Sequence, residues 1–254
     1  MNEIEVRELM PSEFREWDLL VEKTQPGTPF HTSDWLEIYR NVLLRDIRIY
    51  GCFRNDELVG GCPIFVKSLK GILKVASSIC SMTDYCGPLI NESSSSKTSK
   101  RVQENHEILN ALREFLCTQG FDSIHLKFSP GFEDIRPFTW NGWDSKVHYT
   151  HYLDLKENVD NNISRTIRKD LKSAAEAGLE TRIWSDPETY YGLLSKVYER
   201  QDQKIPLPRS FFEKVFDLIR KKDIGYMLVS ETPEGEAVAA VFSLLSVLYL
   251  FFSD

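Results

Sequence analysis

Apolar residues recur along the chain in two periods, and the switches between them mark out a series of short elements. Ile4–Leu9 alternates with a period of two and predicts a strand, after which Pro11 and Ser12 open a helix reaching Lys23. The turn Gln25–Pro29 leads to Phe30-His31-Thr32-Ser33-Asp34-Trp35. There Thr32 or Ser33 caps a helix with Trp35, Ile38, Tyr39 and Val42 on one side. Ile47–Phe53 and Leu58–Val66 flank Arg54-Asn55-Asp56-Glu57 and predict a hairpin. Ile72–Ile79 predicts another strand, and the polar run Glu92–Ser99 predicts a functionally silent loop. Helical spacing returns over Arg101–Gln119 and stops at Gly120; Asp122–Phe128 and Val147–Leu155 alternate as strands. Helices then follow over Pro187–Gln201 and Ser210–Lys221, separated by Ile205-Pro206-Leu207-Pro208. Ile224–Ser230 and Glu236–Leu245 flank Thr232–Gly235 as a second hairpin, and Val247–Phe252 runs on as an apolar strand. Such an edge strand is expected to be covered by a partner or by a segment missing after Asp254, truncation being the favoured reading.

Between the halves lies a basic helix, predicted over 159–177. Arg165, Arg168, Lys169 and Lys172 fall at i, i+3, i+4 and i+7, which gathers four cations on an arc of roughly 100°. Ile163, Ile167, Leu171 and Ala174 take the opposite arc and are expected to pack, and Gly178 supplies the stop. Two readings stand: the solvated side of an amphipathic helix, or a grip for phosphate, carboxylate or RNA backbone. The order of elements puts this helix at the entry to the second half.

The two hairpins resemble each other. Asp56-Glu57-Leu58-Val59-Gly60-Gly61 and Gly235-Glu236-Ala237-Val238-Ala239-Ala240 share one pattern about 180 residues apart, each preceded by a strand and helices bearing large aromatics. The small residues are expected to permit close backbone approach, as a sheet splayed by a ligand needs. This order of elements is similar to the GNAT acyltransferase fold, and more narrowly to the tandem-GNAT FemAB family and its acetyltransferase-like relatives. The resemblance rests on Phe30–Trp35, Leu126-Lys127-Phe128-Ser129-Pro130, Tyr152–Leu155, Ser164–Gly178 and Pro208–Phe212.

The resemblance implies an α+β fold of two GNAT-like lobes, 1–155 and 156–254, the second incomplete at residue 254. It implies transfer of an acyl or aminoacyl group to a small-molecule or peptidyl amine. Acyl-CoA or aminoacyl-tRNA would serve as donor substrate, with no tightly bound cofactor. Substrate contacts are expected at Trp35, Tyr39, Lys127, Ser129 and Phe211 and at the four cations of the basic helix. Three positions depart from the family pattern: Tyr39 stands where a lysine grips substrate phosphate, Leu207 where an arginine does, and Ser129 where a turn carries a carboxylate. Those departures make the muropeptide substrate of the peptidoglycan branch doubtful.

Individual residues keep two readings each. Asp84 and Tyr85, just before Gly87-Pro88, are the candidate proton acceptor and donor, or they stabilise a turn. Lys127 points into a cleft or lies on a strand surface, and Trp35 walls a substrate or anchors the core. Composition narrows the field. The 254 residues carry a formal net charge of -7, which disfavours general electrostatic nucleic-acid binding though not a local basic groove. No run of about 18 apolar residues spans a membrane, and the acidic start lacks a signal-peptide layout. Five cysteines without a CxxC pair are expected to be reduced thiols in a cytoplasmic protein, and the five histidines show no metal-ligand spacing. The alternative to an enzyme is a non-catalytic module that holds an anionic polymer on the basic helix.

Overall fold

The computed structural model describes residues 3–91, 93–151, 163–184, 186–245 and 250–253. The chain divides into two compact units, one ending at Ser145 and one running from Lys146 to Leu244 and including Leu250–Ser253. The first unit holds strand β1 (Glu5–Glu8), helices α1 (Phe14–Lys23) and α2 (Ser33–Val42), and the strands β2 (Asp46–Arg54) and β3 (Glu57–Leu69). Strands β4 (Leu73–Ser77) and β5 (Leu89–Ile90) follow, then helix α3 (Thr98–Thr118), strand β6 (Ser123–His125) and the short helix α4 (Arg136–Thr139).

The sheet order is β1-β2-β3-β4-β6, antiparallel except that β6 runs parallel to β4. Period-two alternation sends Tyr50, Cys52, Cys62 and Ile64 to one face, where they bury against Ile108, Leu109, Leu112 and Leu116 of α3. The other face meets α1 and α2; the Tyr39 ring lies 5.4 Å from that of Phe65. The predicted hairpin turn is present, with Asn55 and Asp56 both at positive φ (52° and 64°), the geometry of a two-residue turn matched to strand twist.

Gly60 and Gly61 serve helix packing as well as sheet pairing. A Cβ on Gly61 would stand 2.8 Å from the Trp17 ring of α1, and one on Gly60 would stand 3.0 Å from Ile108 of α3. The close approach expected of these residues is therefore spent on protein layers at both faces.

Strands β4 and β5 are one strand interrupted. Both pair with the same edge of β3 in the same direction: Ser77 opposes Phe65, and Leu89 opposes Gly61. Between them Ser78–Pro88 leaves the sheet. Pro63 sits in the gap on β3. Its partner Ile49 turns its carbonyl to the N–H of Leu9, the residue after the first strand (2.8 Å), so the Pro63 backbone faces the abandoned edge, where proline has no N–H to leave unpaired.

The second unit repeats this order. Helix α5 (Arg165–Glu176) leads into strand β7 (Glu180–Trp184), helices α6 (Pro187–Arg200) and α7 (Arg209–Lys222), and strands β8 (Gly225–Glu231), β9 (Ala237–Leu245) and β10 (Leu250–Ser253). Its sheet order β10-β9-β8-β7 mirrors β4-β3-β2-β1. Tyr190 of α6 and Phe216 of α7 meet Phe242 of β9 at 5.6 and 6.0 Å, which forms the core on one face. Both hairpins also slip register at the same place. Pairing skips Val59 between Cys52↔Gly60 and Phe53↔Leu58, and skips Val238 between Ser230↔Ala239 and Glu231↔Ala237.

Several expectations are corrected. The strand expected over Asp122–Phe128 pairs only through Ser123–His125, because Leu126 onward turns away to meet the Ser78–Pro88 segment. Residues 147–151 of the strand expected at Val147–Leu155 are irregular and exposed, and the remainder lies outside the described residues. The basic helix is helical over Arg165–Glu176, and 159–162 of its expected span also lie outside them. Its apolar arc does not pack as expected: Ile167 is 48% exposed and Leu171 57%.

Candidate active site

The Ser78–Pro88 excursion is held by donors aimed at its own carbonyls. A buried carbonyl without a donor costs about 1–3 kcal/mol, so each excursion carbonyl turned inward needs a partner. The Tyr39 hydroxyl donates to Ser81 O. Ser129 Oγ donates to Tyr85 O at 2.9 Å, with Thr28 Oγ1 at 3.4 Å from the same oxygen. His31 Nε2 lies 3.0 Å from Gly87 O. Side chains of the excursion are held as well: Trp35 Nε1 donates to Thr83 Oγ1 at 2.8 Å, and Cys86 Sγ lies 3.3 Å from Phe30 O. The Lys127 N–H donates to Ser78 Oγ at 2.8 Å and fixes the near end.

His31 is fully buried, and Thr28 N–H donates to its Nδ1 at 3.2 Å. A nitrogen that accepts there carries no proton, so Nε2 holds the N–H and donates to Gly87 O. Burial disfavours the charged imidazolium and lowers the His31 pKa to about 4. The ring is thus a neutral clamp. Burial likewise pushes the Tyr39 phenol far above its usual range, so it remains a donor.

What the clamp presents is a small polar cluster. Lys127 Nζ lies 2.7 Å from Asp84 Oδ1 and 4.8 Å from the centroid of the Tyr85 ring. Tyr85 takes φ +56°, a left-handed conformation that a bulky residue adopts only when its surroundings fix it. The Asp84 side chain is 56% exposed, so the pair faces solvent and its carboxylate is accessible.

Six of the sequence-predicted residues therefore converge on one feature. Asp84, Tyr85 and Lys127 form its open side. Trp35, Tyr39 and Ser129 are buried behind it and position it. Buried as they are, Trp35 and Tyr39 meet protein and do not wall a substrate. Phe211 is buried in the core of the second unit, its ring 5.7 Å from that of Phe212. Leu207 is buried as well. Arg165, Arg168, Lys169 and Lys172 share exposed positions on α5, where Lys172 pairs with Glu176 at 3.6 Å. Sequence reasoning noted the Phe30–Trp35 segment without seeing that His31 is a clamp; the signal was a histidine flanked by Thr28 and the capping Thr32. Among the described residues no group of three metal-ligating side chains comes together, and no helix is long and apolar enough to cross a membrane.

Comparisons with known proteins agree with this architecture. No family model and no curated protein matches the sequence. Among solved structures, the chain is similar to FemX at 17% identity and a TM-score of 0.58, over 90% of this chain and 58% of that one. A GNAT family acetyltransferase of Staphylococcus aureus matches at 16% identity and TM-score 0.32, over 60% of this chain and 100% of its own. A probable N-acyltransferase of Enterococcus faecalis matches at 12% identity and TM-score 0.35, over 97% of this chain and 56% of its own. The likeness to FemX bears out the expected α+β, FemAB-like fold; the chain spans 58% of the FemX length.

Proposed function

We propose that the protein is an N-acyltransferase that moves an acyl group from an activated thioester or ester to an amine. The observation that supports this reading is the Ser78–Pro88 excursion, which interrupts a sheet edge and sets the Asp84 carboxylate and the Tyr85 phenol beside the Lys127 ammonium. Amide formation requires an unprotonated amine, a polarised carbonyl and alignment, with no covalent nucleophile. In this reading Asp84 accepts the proton of the acceptor amine, and Lys127 shifts from Asp84 to the developing negative charge. The amine nitrogen bonds to the acyl carbon, the bond from that carbon to sulfur or oxygen breaks, and the leaving group departs protonated. Tyr85 donates to the leaving group.

The donor we favour is an acyl-CoA thioester, with a charged tRNA as the alternative, and the acceptor is a small-molecule or peptidyl amine. The muropeptide of the peptidoglycan branch is disfavoured, because Tyr39 and Leu207 are buried where phosphate ligands are expected. The test is thiol release from acetyl-CoA, and deacylation of charged tRNA, across a panel of amines. Turnover above the uncatalysed rate is expected with at least one amine; none with either donor overturns the reading.

A second reading is favoured by the exposed cationic arc of α5. A module that holds an anionic polymer there would lose affinity steeply between about 50 and 200 mM salt. Replacing Arg165, Arg168, Lys169 and Lys172 by glutamine would then abolish binding while the fold persists. A salt-independent affinity rules it out.

A further inference from the structure

A groove of about 590 Å³ lies in the first unit between the opening turns of α3 and the Pro130–Asp134 turn, with Gln25 and Pro26 at its rim. That volume falls within the roughly 300–1,000 Å³ of sites that enclose small ligands. The polar run assigned no function from sequence supplies Ser93, Ser95 and Thr98 to its wall.

Its chemistry excludes a polyphosphate. Arg101 is its one cation among the described residues, and that guanidinium already donates to Ser95 O at 3.0 Å and to Thr98 Oγ1 at 3.3 Å. Glu133 and Asp134 line the same groove and would repel an anion. Asn105 Oδ1 is buried in the wall without a hydrogen-bond partner among the described residues. A ligand hydroxyl both donates and accepts, and so satisfies that amide in either orientation. Beside the groove Asp134 holds His106 at 2.6 Å and Arg136 at 2.6 Å. Those two side chains support Trp140, which meets the His106 ring edge-on at 5.8 Å and is itself 70% exposed. An exposed indole flanking the groove, joined to its Asp134 wall through His106 and Arg136, is a surface on which the C–H face of a neighbouring pyranose ring of an oligosaccharide packs. Glu133 makes no ion pair or hydrogen bond among the described residues and is exposed, which leaves a carboxylate for a ligand ammonium.

We propose that this groove binds a saccharide carrying a free amine, with hydroxyls on Asn105 and the Ser95–Thr98 wall and the ammonium on Glu133. As the acceptor site of the enzyme it rests on the N-acyltransferase reading, but binding is measured without any donor. Failure of transfer and failure of binding are therefore separate results.

The experiment titrates the 15N-labelled full chain at about pH 6 with the glucosamine trimer, its fully N-acetylated counterpart and maltotriose. Amide shifts confined to Gln25, Ser93–Asn105, Gly131–Asp134 and the flank at Trp140 are expected, with the glucosamine trimer binding at least about tenfold more tightly than the other two. Glu133→Gln should remove that preference, and Trp140→Ala should weaken all binding. Shifts elsewhere, equal affinity for the three sugars, or no binding overturns the proposal. The wild-type map and ranking decide it without either variant.

Discussion

The clamp at His31 can be tested through its proton. In the unfolded chain a histidine takes up a proton near pH 6.5, whereas in the fold His31 holds it off until about pH 4. Between these values the unfolded state binds more protons, so stability is full above pH 6.5 and is lost as the pH falls. At about 1.4 kcal/mol per pH unit the loss amounts to about 3 kcal/mol, complete near pH 4. The geometry predicts the same sign, since a proton on Nδ1 would confront the N–H of Thr28, 3.2 Å away. The assay is urea unfolding at half-unit steps from pH 7.5 to 4, followed by tryptophan fluorescence, with His31→Gln as the non-titrating reference. Trp17 reports locally, because its Nε1 donates to His31 O at 2.7 Å. The wild type should lose about 3 kcal/mol more than His31→Gln across that window. Glu13, whose carboxyl Arg7 holds at about 2 against an ordinary 4.5, contributes only from about pH 4.5 downward, at the foot of this range, and equally in both proteins. Parallel curves, or a His31 C2–H resonance titrating above pH 6, would refute the reasoning.

Other consequences can be measured as directly. Asp84→Asn should lower kcat about 100-fold or more in an active assay, yet change stability by no more than about 1 kcal/mol, since its ion pair faces solvent. Gly61→Ala places a Cβ 2.4 Å from Tyr50 O and 2.8 Å from the Trp17 ring, and should cost about 3 kcal/mol by urea denaturation. A thiol reagent should modify Cys117 first, because it is exposed while Cys52, Cys62 and Cys86 are buried with thiol pKa values raised by that burial. Cys117→Ser should remove the fast phase.

Much of the architecture was legible because local signals and packing agree. Asn55-Asp56 specifies its turn, Thr32 caps α2 by accepting from Trp35 N–H, and Gly178 stops α5 at φ +72°. The repeat was readable because Val59 and Val238 occupy matching places. The excursion was not. Its residues show no periodicity, and its conformation is fixed by donors distant in sequence, from Thr28 to Ser129. Asp84 and Tyr85 could be picked out as polar residues in a turn, but only the fold brings Lys127 to them. The amphipathic pattern of α5 misled for a related reason: periodicity states which face could be buried, and in the structure Ile167 and Leu171 remain open.

The matching register slips at Val59 and Val238 have a consequence for how these hairpins tolerate change. An extra residue on one strand offsets every pairing beyond it by one, so removing it would exchange the inward and outward side chains along the rest of β3 or β9. Substitution at either valine leaves that offset intact. Val238, 44% exposed, should therefore give way to many different side chains, whereas Val59 packs against the core and should accept only apolar ones; neither hairpin should accept an alteration of strand length. What the two hairpins share at this point is a count of residues.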